Sequence, residues 1–195
     1  CDAWREKFAD LPNVEIVQGH FESLPAYDCL VSPANSFGLM DGGVDLAITR
    51  YFGVQLMQRV QQRILDDFLG EQPVGSSIIV ETQHNQHPFL AHTPTMRVPM
   101  IIAHTDNVYK AMWALLLAVR QHNTSAERTI EIIACPGLGT GVGKVPFRQA
   151  AKQMAAAYRH FLNPPTFITW GFAGERQLQV RYGGDDGFEF PPEYA

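Results

Sequence analysis

Short apolar runs, bounded by proline, glycine or polar residues, predict the strands of a buried sheet. Residues 29–31 form one such run, and Pro33 ends it because proline has no N–H to donate to a sheet ladder. Residues 14–17 alternate apolar and polar positions, as a half-buried strand does. The remaining runs that predict strands are residues 76–81, 89–93, 130–135 and 167–172.

Between these runs, apolar residues recur at helical spacing. In residues 54–69, Leu56, Val60 and Ile64 lie on one stripe, which predicts a scaffold helix. The end of a helix is predicted at residues 2–8, and Asn107 is expected to cap a helix over residues 108–122. Because helices alternate with strands, we expect an α/β fold, a three-layer α/β/α sandwich with its ligand at the carboxyl ends of the strands. The other predicted helices are residues 44–51 and 146–162.

Composition places the chain among ordinary globular proteins. It has 195 residues, of which 46% are hydrophobic and 18% charged. It has no run of about eighteen apolar residues and no signal-peptide order at its start, so we expect a cytoplasmic protein and no membrane contact. The net charge of −5 argues against a broad nucleic-acid surface. We expect a domain over residues 1–173 and a loosely ordered acidic tail, with glycine and proline, over residues 174–195.

Neither cysteines nor histidines form a recognisable metal set. The three cysteines are an odd number without a close pair, which favours buried reduced thiols. His84, His87, His92 and His104 have no cysteine or carboxylate to complete a site, so surface-loop and strand-edge positions are expected. We expect no metal and no cofactor. Because the chain starts at Cys1 rather than Met, we expect a fragment whose upstream strand is missing.

The first candidate ligand loop follows the run at residues 29–31. It contains Asn35 and closes on two glycines, which let the backbone take positive φ and approach a ligand closely. A helix follows directly, so unpaired N–H groups and the positive end of a helix dipole suit a phosphate there. The candidate ligand residues of this loop are Ala34, Asn35, Asp41, Gly42, Gly43 and Val44.

A second loop of the same kind follows residues 130–135. Two phosphate-type loops suggest a diphosphate ligand. No frame of the second loop gives Gly-x-Gly-x-x-Gly, and Gly-Lys-Ser/Thr is absent, which argues against a dinucleotide dehydrogenase and a nucleotide triphosphatase. The candidate ligand residues of this loop are Pro136, Gly137, Gly139, Thr140, Gly141, Val142, Gly143 and Lys144.

Together, the two loops resemble those of the macro domain family. The first reads Val-Ser-Pro-Ala-Asn-Ser over residues 31–36 and Asp-Gly-Gly-Val-Asp over residues 41–45, and the second reads Pro-Gly-Leu-Gly-Thr-Gly-Val-Gly over residues 136–143. The resemblance covers about residues 14–172. Asn35, followed after six residues by Gly-Gly-Val-Asp, is similar to the signature of MacroD-type members, which hydrolyse ADP-ribose esters.

The resemblance implies a mixed, mostly parallel sheet of six strands between helices, with ADP-ribose or a related nucleotide bound. It implies that Asn35 and Asp45 are catalytic, with Asn35 at the distal ribose and Asp45 beside the diphosphate. An ADP-ribosylated protein is a candidate partner. Three residues of an early turn, and one at the predicted end of the last strand that we expect to stack on a base, complete the candidate ligand set: Gly19, His20, Phe21 and Phe172.

Two positions depart from the family pattern. Many members carry an aspartate for the adenine amino group where this chain has His20, and many hydrolytic members carry an aromatic residue where it has Gly143. The second difference predicts a more open loop, and Lys144 supplies positive charge for an extra phosphate.

Alternative functions therefore stay open. One is a hydrolase that removes ADP-ribose, or a phosphate from it, and the other is a binding module that does no chemistry. Asn35 and Asp45 also fit a turn residue and a helix first-turn acid. A third possibility is that the tail docks a protein partner and the pocket is regulatory.

Overall fold

The computed structural model describes residues 1–180 and Tyr182. In these residues, four strands form one mixed sheet: β1 (Cys29–Ser32), β2 (Ile78–Glu81), β3 (Phe89–His92) and β4 (Ile133–Ala134). The sheet order is β2-β3-β1-β4, with β1 parallel to both β3 and β4, and with β2 antiparallel to β3. The predicted α/β fold with a mixed, mostly parallel sheet is confirmed, with four strands described where the family resemblance implied six.

Helices cover both faces of this sheet. On one face, Leu30 of the central strand packs against Ile48 and Leu56. On the other face, Val31 packs in a second core with Leu115 and Met154. Three layers follow from these two cores. The helices are α1 (Asp2–Lys7), α2 (Gly43–Phe52), α3 (Val54–Phe68), α4 (Asn107–Ser125), α5 (Phe147–Leu162) and α6 (Trp170–Val180).

The carboxyl end of β1 sets the position of the first loop. Parallel pairing places Ser32 beside His92. The pairing continues past the strands, because the N–H of Ala34 donates to the carbonyl of Thr93 and the N–H of Thr95 donates to the carbonyl of Ala34. The loop after Ala34 is thereby anchored to the sheet.

The strand expected at residues 14–17 does not form. This segment has no regular secondary structure, and Val14 and Val17 are 36% and 50% exposed. An alternating pattern forms a strand only where one face is buried and an edge is paired. Neither condition holds for residues 14–17.

The strand expected at residues 167–172 is also wrong, because helix α6 begins at Trp170. The guanidinium of Arg176 lies 4.9 Å from the ring centroids of both Trp113 and Phe172, and the Nε2 of His160 lies 2.6 Å from Gln179 Oε1. These contacts hold the segment as a helix. Phe172 is therefore a helix residue rather than the end of a strand. Helix α6 also includes residues 174–180, which the sequence predicts as part of a loosely ordered tail; residues 181 and 183–195 of that tail lie outside the described residues.

Strand β4 is shorter than the predicted run because a carboxylate occupies its start. The Oδ2 of Asp28 accepts the N–H groups of Glu131 and Ile132, both at 2.8 Å, so these groups do not join the ladder. Asn107 is the first residue of α4 rather than its cap, which is Asp106. None of the described helices is long and apolar enough to cross a membrane.

Candidate functional site

A cleft of about 1430 Å³ runs along strand β4. Residues 13–27 form one wall, residues 131–137 follow the strand, and the start of helix α2 closes one side. Three parts of the predicted site thus meet here, although they are far apart in the sequence. The predicted residues that line the cleft are Gly19, His20, Phe21, Gly43, Val44, Pro136 and Gly137.

The start of helix α2 presents open backbone to this cleft. Gly43 has φ +55°, and a Cβ added at Gly42 or Gly43 would meet nothing within 4 Å. The first helical bond is donated by the N–H of Leu46 to Gly42, so the N–H groups before it have no partner within the helix. Positive φ favours glycine at Gly43, and the free N–H groups with the helix dipole suit an anion.

Asn35 stabilises the first loop with its own side chain. Its Oδ1 accepts the N–H groups of Phe37 at 3.0 Å and Leu39 at 3.3 Å, and its Nδ2 donates to the Leu39 carbonyl at 2.8 Å. Both ends of the amide are thus used in a local turn. Asn35 is not among the residues that line the cleft.

Asp45 is a buried carboxylate in the first turn of helix α2. It is 7% exposed, and its Oδ1 accepts a hydrogen bond of 2.7 Å from Ser32 Oγ. Burial raises the pKa of Asp45 to about 6; the Ser32 hydrogen bond opposes this rise and the negative charge of Asp41 adds to it. A carboxyl that titrates near neutral pH is suited to general acid–base work. Asp45 follows Val44, which lines the cleft, but does not line it itself.

Two glycines of the second loop are needed for packing. A Cβ on Gly139, where φ is +71°, would lie 2.7 Å from Val108 Cγ2. A Cβ on Gly143 would lie 2.5 Å from the carbonyl oxygen of Gly139 and 2.8 Å from Ile102 Cγ1. At Gly143 the structure therefore has no room for the aromatic residue that many hydrolytic family members carry.

The tip of the second loop is open instead. A Cβ on Gly141 would meet nothing within 4 Å, and Val142 is 54% exposed. Lys144 is exposed at φ +55°, with its N–H bonded to the Gly141 carbonyl. The Thr140 hydroxyl donates to Gly137 at 2.9 Å and fixes the turn. None of these four residues lines the cleft.

Trp4 and Ser32 are site residues that the sequence analysis missed. Trp4 lines the cleft, and a Cβ on Gly137 would lie 2.9 Å from its ring, so Trp4 covers the start of the second loop. No sequence signal connects these two positions. Ser32 gave a signal, because it is a polar residue at the end of an apolar run. Phe172, which we expected to stack on the base of a nucleotide, lies on α6 beside Arg176 and does not line the cleft.

Of the four histidines considered for a metal site, His104 is exposed, whereas His84, His87 and His92 make packing or hydrogen-bond contacts. The His87 ring stacks on Tyr27 at 3.8 Å and on His84 at 5.1 Å. His92 is fully buried rather than at an exposed strand edge; its Nδ1 bonds Gln72 at 2.7 Å, and burial lowers its pKa to about 3. Among residues 1–180 and Tyr182, no group of three or more His, Cys, Asp or Glu side chains is placed to hold a metal ion.

The sequence of this chain is similar to those of known proteins. The Macro domain family matches residues 31–154, which include both glycine loops. A protein of Aquifex aeolicus, named only as uncharacterized, is 32% identical over 149 residues, which cover 76% of this chain and 82% of that protein. A protein of Aeropyrum pernix, likewise uncharacterized, is 29% identical over 130 residues, covering 67% of this chain and 62% of that protein.

Solved macrodomains have the same fold. The macrodomain of Mycobacterium tuberculosis DarG gives a TM-score of 0.61 at 19% identity, over 74% of this chain and 88% of that chain. An Oceanobacillus iheyensis macrodomain variant with ADPR gives a TM-score of 0.61 at 20% identity, over 83% of this chain and 88% of that chain. The Trypanosoma brucei macrodomain in complex with ADP-ribose gives 0.54 at 22% identity, over 71% and 53%. These identities establish the fold alone, whereas the family match and the Aquifex relative show that the chain belongs to the Macro domain family.

Proposed function

We propose that this protein binds ADP-ribose, with the diphosphate at the N-terminus of helix α2. The observation that carries this proposal is the open backbone at Gly43, which lines the same cleft as the start of the second loop. Free N–H groups there supply hydrogen bonds to phosphate oxygens without a side chain between them. Family membership supports the ligand, as do the Oceanobacillus iheyensis structure with ADPR and the Trypanosoma brucei structure with ADP-ribose.

The wall formed by residues 13–27 is the proposed position of the nucleoside. Phe21 lies there, and its ring is held edge-to-face by Tyr51 at 5.6 Å. Phe21 and Trp4 give aromatic surface for a base, and His20 offers a polar edge in place of the family aspartate. The ligand thus runs from the early turn to the two glycine loops.

We further propose that the bound ligand is an ADP-ribose ester and that the protein hydrolyses it. A water oxygen bonds to the anomeric carbon of the distal ribose while the bond from that carbon to the ester oxygen breaks. The substrate carboxylate leaves with the bonding electrons, and the proton of the water passes to Asp45. With a pKa of about 6, Asp45 is mostly ionised at neutral pH and accepts that proton. Asn35 contributes by folding the loop that precedes helix α2. An ADP-ribosylated protein is the proposed substrate.

A binding module without chemistry is the second candidate. Two observations favour it: Asp45 does not line the cleft, and Gly143 leaves no room for an aromatic residue over the ribose. Rate measurements on an ADP-ribosylated carboxylate separate the two functions. Asp45→Ala should lower turnover about a hundredfold while affinity changes much less, because the carboxylate acts as the bond breaks. If the wild-type protein binds ADP-ribose but releases none from the substrate, the binding module remains as the function.

Substitutions at Gly43 test the diphosphate position. Asp and Asn are nearly equal in size, and both tolerate positive φ better than other residues with side chains, so Gly43→Asp and Gly43→Asn differ mainly in charge. We expect Gly43→Asp to abolish ADP-ribose binding, and Gly43→Asn to weaken it much less, in an equilibrium binding assay. Equal affinities for wild type and both variants would place the diphosphate elsewhere.

A further inference from the structure

Ser32 occupies an unusual position for a polar residue. It is the last residue of the central strand β1, whose four residues are all buried, and it is itself 0% exposed. Its backbone is fixed, because the carbonyl accepts the N–H of Thr93 and the residue pairs with His92. A buried hydroxyl is costly unless it is hydrogen-bonded, and the partner of Ser32 is the Oδ1 of Asp45 at 2.7 Å. The sheet therefore fixes the backbone from which this hydroxyl reaches Asp45.

The contact leaves one oxygen of Asp45 available. Ser32 donates to Oδ1 of Asp45, and none of the described residues donates a hydrogen bond to Oδ2. A helix first-turn acid would need neither burial nor a serine from another element. We propose that Ser32 is the positioning residue of the reaction: its hydroxyl fixes Asp45 through Oδ1 and leaves Oδ2 to align the attacking water. This inference rests on the proposed hydrolase function.

Burial, and then the groups that face Asp45, determine the pH at which it is ionised. Ser32 donates from β1 and stabilises the carboxylate, whereas Asp41, in the loop before helix α2, repels it. His92, beside Ser32 on β3, is neutral at working pH, because burial holds its pKa near 3 while its Nδ1 is bonded to Gln72. Loss of the Ser32 hydroxyl should therefore raise the pH at which Asp45 titrates.

Three variants of the full chain test the role. Ser32→Ala removes the donor, and Ser32→Thr keeps it. Thr49→Val is the matched control, because Thr49 lies on the same helix as Asp45 but donates its hydroxyl to the Met40 carbonyl. The first readout is a ¹³C NMR titration of aspartate carboxyls, with the Asp45 signal assigned from its absence in Asp45→Asn. The second is kcat and KM for ester hydrolysis across pH.

We expect Ser32→Ala to raise the pH midpoint of the Asp45 titration and to move the acid limb of the pH–rate profile by the same amount. The variant should also lower kcat by roughly tenfold or more, with little change in KM. Ser32→Thr should restore most of the rate, and Thr49→Val should leave the midpoint unchanged. An unshifted midpoint in Ser32→Ala overturns the coupling to Asp45. A wild-type protein without turnover overturns the catalytic role together with the hydrolase function, so the two failures are distinguishable.

Discussion

Burial of Asp45 predicts that its ionised carboxylate destabilises the folded protein. The perturbation is Asp45→Asn, which keeps the shape of the side chain and an oxygen that accepts the Ser32 hydroxyl at the present distance of 2.7 Å. The substitution removes the charge and replaces the second carboxylate oxygen by an amide NH2 group. Because Asp45 is 7% exposed, solvent screens this charge little.

The magnitude follows from the pKa. The pKa of Asp45 rises from 3.8 to about 6 on folding, so the folded state binds the proton more tightly than the unfolded state. Because the pKa of this carboxyl is raised on folding, its contribution to stability is present in full below the unfolded pKa. That contribution is lost as pH rises through the folded pKa. A rise of about two pKa units corresponds to a loss of about 3 kcal/mol at pH 8 and less than about 1 kcal/mol at pH 4.

Guanidinium unfolding of wild type and Asp45→Asn at both pH values measures this difference. We expect the variant to be more stable by up to about 3 kcal/mol at pH 8 and nearly equal to wild type at pH 4. Asp66→Asn is the control, since Asp66 is an exposed carboxylate on helix α3 and its loss should change stability by less than about 0.5 kcal/mol at either pH. A stability difference for Asp45→Asn that is the same at both pH values would refute the reasoning.

Three further substitutions test the structure around the site. Gly143→Ala places a Cβ 2.5 Å from a carbonyl oxygen and should lower stability in thermal melts by about 1–3 kcal/mol. The control Gly141→Ala, whose Cβ meets nothing within 4 Å, should change stability little. Equal melting temperatures for the two variants would contradict the loop packing. Asp28→Ala leaves two N–H groups at the start of β4 without their acceptor, so we expect a loss of about 1–3 kcal/mol and faster amide exchange there. Arg176→Met removes a cation held by two aromatic rings and should increase exchange across α6, with unchanged protection as the contrary result.

The middle of the sheet could be predicted because strands β1 and β3 are buried on both faces. Cys29 to Val31 read as an apolar run, and a parallel strand with cores on both sides requires such a run. Residues 167–172 contain aromatic and β-branched residues, which favour a strand, yet Phe167 is 72% exposed and a helix starts at Trp170. Propensity did not decide this segment, because its helix is held by contacts of Arg176 with α4.

The candidate site was predictable where backbone chemistry defines it. Gly43 is open and at positive φ, as a phosphate loop requires. In the sequence, Gly139 and Gly143 look identical to the open glycine at position 43. In the structure they occupy positions without space for a Cβ, which only the packing of Val108 and Ile102 reveals. The Ser32–Asp45 bond joins residues 13 positions apart and depends on where β1 ends relative to helix α2, which no local pattern contains.

Calorimetric titration with ADP-ribose, ADP and AMP tests the central claim most directly. If the diphosphate lies between the open N-terminus of helix α2 and the second loop, ADP-ribose should bind with a Kd of about 1 μM, or about −8 kcal/mol, and AMP should bind much more weakly. If Gly43→Asp gives no binding heat with ADP-ribose on the same instrument, the heat measured for the wild type comes from binding in this cleft. The contradicting result is a folded wild-type protein that gives no binding heat with any of the three nucleotides at several temperatures.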